Sequence, residues 1–186
     1  MRYSDLTITR RWAAFSQDRR HRYLLGRQFQ AAQGDLLSGW TAPREGACVW
    51  VMLNPSVADE RGEDPTLRRC ISFSAAWGFR ELQVVNLFSA VATDPDHLLA
   101  LEDPNGPRAD AELRAALRRA SLIVVGWGAR GGHQRRDTQV RAWLRRAKVP
   151  VMCLGVTNEG QPKHPLYIAG EVSPQRFVGG ALVAAP

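Results

Sequence analysis

Four apolar runs of strand length lie at residues 48–53 (CVWVML), 82–88 (LQVVNLF), 121–128 (SLIVVGWG) and 149–156 (VPVMCLGV). Amphipathic stretches separate them. Strands buried on both faces read as continuous apolar runs, and parallel neighbours need long, usually helical, connections. This alternation limits the chain to an α/β layered domain. Its 186 residues suit one domain, with residues 1–45 as an N-terminal strand and packing segment and 46–178 as the core. Within the first segment, residues 22–29 (RYLLGRQF) are expected to form an edge strand, and Trp12, Phe15 and Tyr23 to pack on the sheet.

The helices announce themselves by their caps. In residues 65–79 (PTLRRCISFSAAWGF), Leu67, Cys70, Ile71, Ser74 and Trp77 share one face, with Asp64 before the start and Gly78 at the stop. A short helix is expected after Asp94-Pro95. Residues 106–120 (GPRADAELRAALRRA) place Leu113, Ala116 and Leu117 inward, and 138–148 form a further amphipathic helix.

Each apolar strand ends on a polar or aromatic residue. Asn54, Asn86, Trp127 and the loop 158–164 stand at or just past the ends of the four runs, so a parallel sheet would gather them at its carboxyl edge. That edge is where open α/β sheets bind ligands. Asn54-Pro55 also reads as a simple turn starter, since proline cannot continue a ladder and asparagine bonds its own backbone.

Charge bears on partners. Twenty-five Lys and Arg against 18 Asp and Glu give +7 and an isoelectric point near 10.1, an excess suited to phosphate-bearing ligands. Cys48, Cys70 and Cys153 are scattered in apolar surroundings and odd in number, which predicts packed thiols of a reducing, cytoplasmic protein. No apolar run reaches membrane-span length and the first residues lack a signal-peptide core, so no membrane association is expected.

Three features invite chemistry. Gly126, Gly128 and Gly131 have the G-x-G-x-x-G spacing of a dinucleotide loop, but the unit is late in the chain, Trp127 stands between the glycines and no acidic residue ends the following strand. A loop entering a helix, with Arg130, His133, Arg135 and Arg136 near free backbone N–H groups, is the simpler phosphate-holding reading, beside that of a solvated basic loop. Asp59 and Asp64 read either as a carboxylate or magnesium pair or as caps, and no metal is assigned. His164 sits in a polar loop instead of on an apolar face. No Gly-x-Ser-x-Gly elbow or catalytic cysteine context is present.

Nearly the whole chain, through RYLL, MLNPSVAD, DPTLRRC, WGF, VVNLFSAVATDP, GWG and GQPKHPLYI, resembles an uncharacterised bacterial family, domain of unknown function family 1643. The order of the strand-end motifs also resembles, more distantly, the uracil-DNA glycosylase superfamily. MLNPS is similar to the Asn-Pro form of its first motif, VVNLF to its base-reading asparagine strand, VVGWG to its Trp-Gly strand and KHPLYI to its His-Pro loop. The resemblance implies a three-layer α/β/α sandwich with a mainly parallel central sheet. Leu53 stands where the superfamily motif has glycine, and His164-Pro165 runs straight into Leu166-Tyr167 without the serine-bearing wedge loop.

What the resemblance implies is a monomeric DNA glycosylase-like hydrolase that excises uracil or another altered base from DNA without a cofactor. Its alternatives are a non-catalytic nucleic-acid or nucleotide-binding module, and a hydrolase of free nucleosides or nucleotides. Breaking an N-glycosidic bond needs water placed at a cationic sugar and stabilisation of a departing anionic base. Asn54 and His164 are the catalytic candidates, one orienting water and the other donating to a base carbonyl. Pro55, Ser56, Asp59, Phe73, Asn86, Phe88 and Trp127 are the substrate-binding candidates, with Asn86 matching an amide edge and a phenylalanine stacking. Arg68, Arg69, Arg130, Arg135 and Lys163 are the phosphate-contact candidates.

Overall fold

The computed structural model of the chain describes residues 1–31, 44–169, 172–178 and 181–183; residues 32–43 of the expected N-terminal packing segment lie outside the described residues. Its centre is built from the four apolar runs. β3 (Ala47–Met52), β4 (Glu81–Asn86), β5 (Ala120–Val125) and β6 (Val151–Cys153) pair in parallel, in the order β4-β3-β5-β6. Every residue of β3 is buried, as the absence of polar alternation requires. The two faces divide by parity. Val49 and Val51 meet α3 (Ala109–Arg119) and α4 (Arg136–Leu144) through Leu113, Ala116, Leu117, Val140 and Leu144. Cys48, Trp50 and Met52 meet α1 (Pro65–Ala76) through Leu67, Cys70, Ile71 and Phe73.

Outside this parallel centre the sheet differs from the sequence expectation of mainly parallel pairing. Antiparallel strands flank it on both sides: β1 (Leu6–Phe15) and β2 (Arg22–Ala31) beyond β4, and β7 (Gln175–Val178) and β8 (Ala181–Val183) beyond β6. The full order is β1-β2-β4-β3-β5-β6-β7-β8. β2 is therefore an interior strand and β1 the edge, because the short connection of residues 16–21 permits a hairpin and no parallel crossover. Gly26 faces Trp12 across that hairpin, and a Cβ there would lie 2.0 Å from the indole, so only glycine lets the ring cover the strand. Arg10 stacks over the same indole and, with Arg11, adds charge to the outer edge.

The caps fall where the sequence puts them. The Asp64 carboxylate accepts from Leu67 N at 2.7 Å, Pro65 opens α1, and the chain leaves the helix at Gly78 with φ +88°. Asp94 likewise caps the short α2 (Pro95–Leu99) through Asp96 N. Among the described residues no helix is long and apolar enough to cross a membrane.

One buried ion pair fixes the loop that follows β3. Arg27, fully buried on β2, donates to Glu63 Oε1 at 2.8 Å, to its neighbour Gly26 O, to Gly62 O at 3.0 Å and to Asp59 O. Glu63 also accepts from Tyr3 and Arg11. Burial pushes the Glu63 carboxyl up, but those three donors outweigh it and hold it below its ordinary value. A group so depressed contributes stability that is complete above its unfolded pKa and is lost as pH falls through the folded one.

Glu63→Gln leaves the Arg27 charge buried without a counter-ion and is expected to cost about 3–5 kcal/mol in urea unfolding at neutral pH. Acidification should destabilise the wild type through this group, and the variant should lack that part of the acid response.

Candidate functional site

The carboxyl ends of the parallel strands open into a cavity of about 410 Å³. Asn54, Asn86, Trp127 and His164 all line it, together with Ser56 and Arg130. Leu25, Met52, Leu67, Cys70 and Val84 form its apolar wall. A small apolar chamber with a few polar groups is the usual form of a ligand site.

Asn86 ends β4 opposite Met52 and shares the face of Val84. It is 6% exposed, and neither its amide nitrogen nor its oxygen has a hydrogen-bond partner among the described residues. A buried amide left unpaired on both sides costs about 1–3 kcal/mol for each group. Its donor and acceptor are therefore open to whatever enters the cavity.

Asn54 is anchored differently. Its Nδ2 donates to Pro55 O at 2.8 Å and Ala92 O at 2.7 Å, which spends both amide protons and tethers the segment after β4. The turn-forming role is thus real, and it orients Oδ1 as the remaining acceptor. Pro55 itself is buried, and its carbonyl also takes Ala92 N.

His164 caps the turn Pro165–Tyr167, its Nδ1 accepting from Leu166 N at 3.3 Å. That bond puts the neutral ring's proton on Nε2. Burial lowers the pKa of the imidazole, with the Asp64 charge acting weakly in the opposite direction. Asp64 is the carboxylate among the cavity-lining residues.

The glycines of GWGARGG serve packing. A Cβ on Gly131 would lie 2.1 Å from the Trp127 indole, and one on Gly126 would press on Pro165 at 3.1 Å and Met52 at 3.3 Å. Trp127 donates to Gln161 at 2.7 Å, Gln161 accepts also from Arg141 and donates to Asp137, and Arg141 reaches Gly160 O. This network ties the Trp-Gly strand end to the loop that carries His164.

Other expected residues lie elsewhere. Phe73 is in the core, clustered with Trp50 and Trp77, and Phe88 is fully buried edge-on to His133; neither lines the cavity. Asp59 caps its own turn through Arg61 N and Gly62 N. Arg68 lies over Tyr3 and Arg69 bonds Ile168 O and stacks on Phe73, whereas Arg130 stays on the cavity lining with its guanidinium paired to Asp96. Arg136 is buried against Asp110 and Leu87 O, while Arg135 and Lys163 are exposed outside the cavity lining. Among the described residues no three His, Cys, Asp or Glu side chains converge as metal ligands.

Three lining residues carry no sequence signal of a site. Tyr167 is 82% exposed at the rim, Thr93 follows the Asn54 tether, and Arg22 reaches in from β2. A strand arginine reads as surface unless its burial is known.

A family model described as a protein of unknown function (DUF1643) matches residues 22–166, and by this extent the chain belongs to that family. No curated protein and no solved structure matches it.

If the Asn86 amide is kept for a ligand and not for the fold, Asn86→Leu removes two unpaired groups without opening a void. The ligand-free variant is expected to be as stable as the wild type or up to about 3 kcal/mol more stable by thermal unfolding. Destabilisation beyond about 1 kcal/mol would make the residue structural.

Proposed function

We propose that this member of the family is an N-glycosyl hydrolase that admits a nucleobase to the cavity and cuts its bond to the sugar, with uracil or another altered base in DNA as substrate. The observation that carries the reading is Asn86, buried on the cavity wall with donor and acceptor both unspent. A pyrimidine imide edge offers the complementary acceptor and donor side by side.

The remaining groups suit the same reaction. Asn54 Oδ1, fixed because Nδ2 is fully engaged, orients a water. An amide cannot take that water's proton, and the acceptor role falls to Asp64, whose carboxylate also faces the developing sugar cation electrostatically. His164 Nε2–H donates to a carbonyl oxygen of the base as it leaves with the bonding electron pair. The exposed Tyr167 ring supplies a stacking face at the rim, in place of Phe73 or Phe88.

The net charge of +7 supports a phosphate-bearing substrate. The absence of a wedge after His164-Pro165 favours single-stranded DNA, whose bases need no extrusion from a duplex.

The test is alkali-sensitive cleavage of labelled single-stranded DNA carrying one uracil. Asn54→Ala and His164→Ala are each expected to lower the rate about 100- to 10,000-fold, the range of a positioned proton-transfer group. The wild-type rate should hold through the ordinary histidine pKa and fall only at lower pH, because protonating His164 Nδ1 breaks its bond with Leu166 N–H. Unchanged rates in both variants would remove these roles, and absence of any product would remove the reaction.

A further inference from the structure

Arg22 is the second polar group on the cavity wall that the fold leaves unfinished. It is 4% exposed, yet no carboxylate pairs with its guanidinium among the described residues. Nη1 donates to Ala58 O, and Nε is buried with no partner. The contrast lies within the same protein: buried Arg27 has Glu63 and buried Arg136 has Asp110. Asp64 and Asp59 act on Arg22 only through space.

A local irregularity brings it there. Ala14 pairs with Leu24 and Phe15 with Arg22, so Tyr23 has no partner and the hairpin bulges at this point. Bulges re-aim side chains, and this one turns Arg22 into the cavity beside Leu25. Burial lowers its pKa to about 10, the largest influence on it, which still leaves a full cation at neutral pH. A lone buried charge is costly, and its retention calls for a counter-ion that the described residues do not supply.

The geometry points to Arg22 as an anion-recognising residue: the cavity takes a nucleobase ligand that carries a negative charge for the Arg22 guanidinium and presents its donor–acceptor edge to Asn86. This rests on the reading above for the base edge alone. Guanidinium groups bind carboxylates and phosphates through paired charge-assisted bonds, so the charge can belong to a ring carboxylate or to a phosphate.

The test is calorimetric binding to the full chain of two matched pairs, uracil against 6-carboxyuracil and uridine against uridine monophosphate. In the wild type at least one anionic member is expected to bind about 10- to 100-fold more tightly than its uncharged partner. Which pair shows the gain identifies the source of the charge. Arg22→Met should abolish the gain while leaving the uncharged affinity within about twofold, whereas a purely structural arginine would weaken both members alike. Arg22→Lys, which keeps the charge but loses the fork, should retain part of the gain. Equal affinities within both pairs, a gain that survives in Arg22→Met, or no binding of any of the four would each overturn the inference. These comparisons need no turnover. A preference for the anion in a protein without excision activity would keep the inference and discard the hydrolase.

Discussion

The mouth of the cavity is held by one fully buried guanidinium. Arg27 sits in the interior of the sheet and reaches across to the loop after β3, where Glu63 and the carbonyls of Asp59 and Gly62 take its protons. A charge in that position is costly unless its donors are met, and these three acceptors tie the loop to the sheet. From this tie follow the placement of Asp64 as cap of α1 and of Ser56 and Ala58 on the cavity wall. On the other side the Trp127–Gln161–Arg141–Asp137 network does the same for the loop bearing His164. The polar framework is thus spent on two loops that converge over the ends of β3, β4 and β5.

Against that framework two unfinished groups on the cavity wall carry meaning. Buried polar groups in folded proteins are nearly always paired, and Arg27, Arg136, Trp50 and Trp127 follow the rule. Asn86 and Arg22 do not, and both open on the same chamber. Single side-chain atoms of Asn105, His133 and Arg141 are also unpaired, but none of these residues lines the chamber, and an amide and a cation both left unfinished on one cavity wall are the expected signature of a site whose partner arrives from outside. The amide supplies an edge and the guanidinium a charge. Together they describe a ligand more narrowly than the cavity's size does.

Much of the centre was legible in the sequence. β3, β4 and β5 are continuous apolar runs because both their faces are covered, and Asp64-Pro65 and Asp94-Pro95 mark helix starts through capping chemistry that acts within three residues. The convergence of Asn54, Asn86, Trp127 and His164 follows from parallel strands sharing one end. Edge strands were harder. β1 is exposed along much of its length and mixes Arg10 and Arg11 with Ile8 and Trp12, so no clean alternation survives. The G-x-G-x-x-G spacing misleads because glycine that clears room for an indole looks, in sequence, like glycine that clears room for a phosphate. Phe73 and Phe88 are aromatic and near the motifs, but the helix face and strand parity that bury them depend on the fold. Arg22 was invisible for a similar reason, since its direction is set by a one-residue bulge at Tyr23.

The central claim is that the Asn86 amide waits for a ligand edge. The most direct measurement is the side-chain amide resonance of Asn86 in a nitrogen-15 spectrum, identified by its loss in Asn86→Leu, followed while uracil and 6-carboxyuracil are added. The account predicts a progressive, saturable shift of that resonance as its protons acquire an acceptor. An Asn86 signal that stays fixed while ligand saturates the protein, or under either addition, would contradict it.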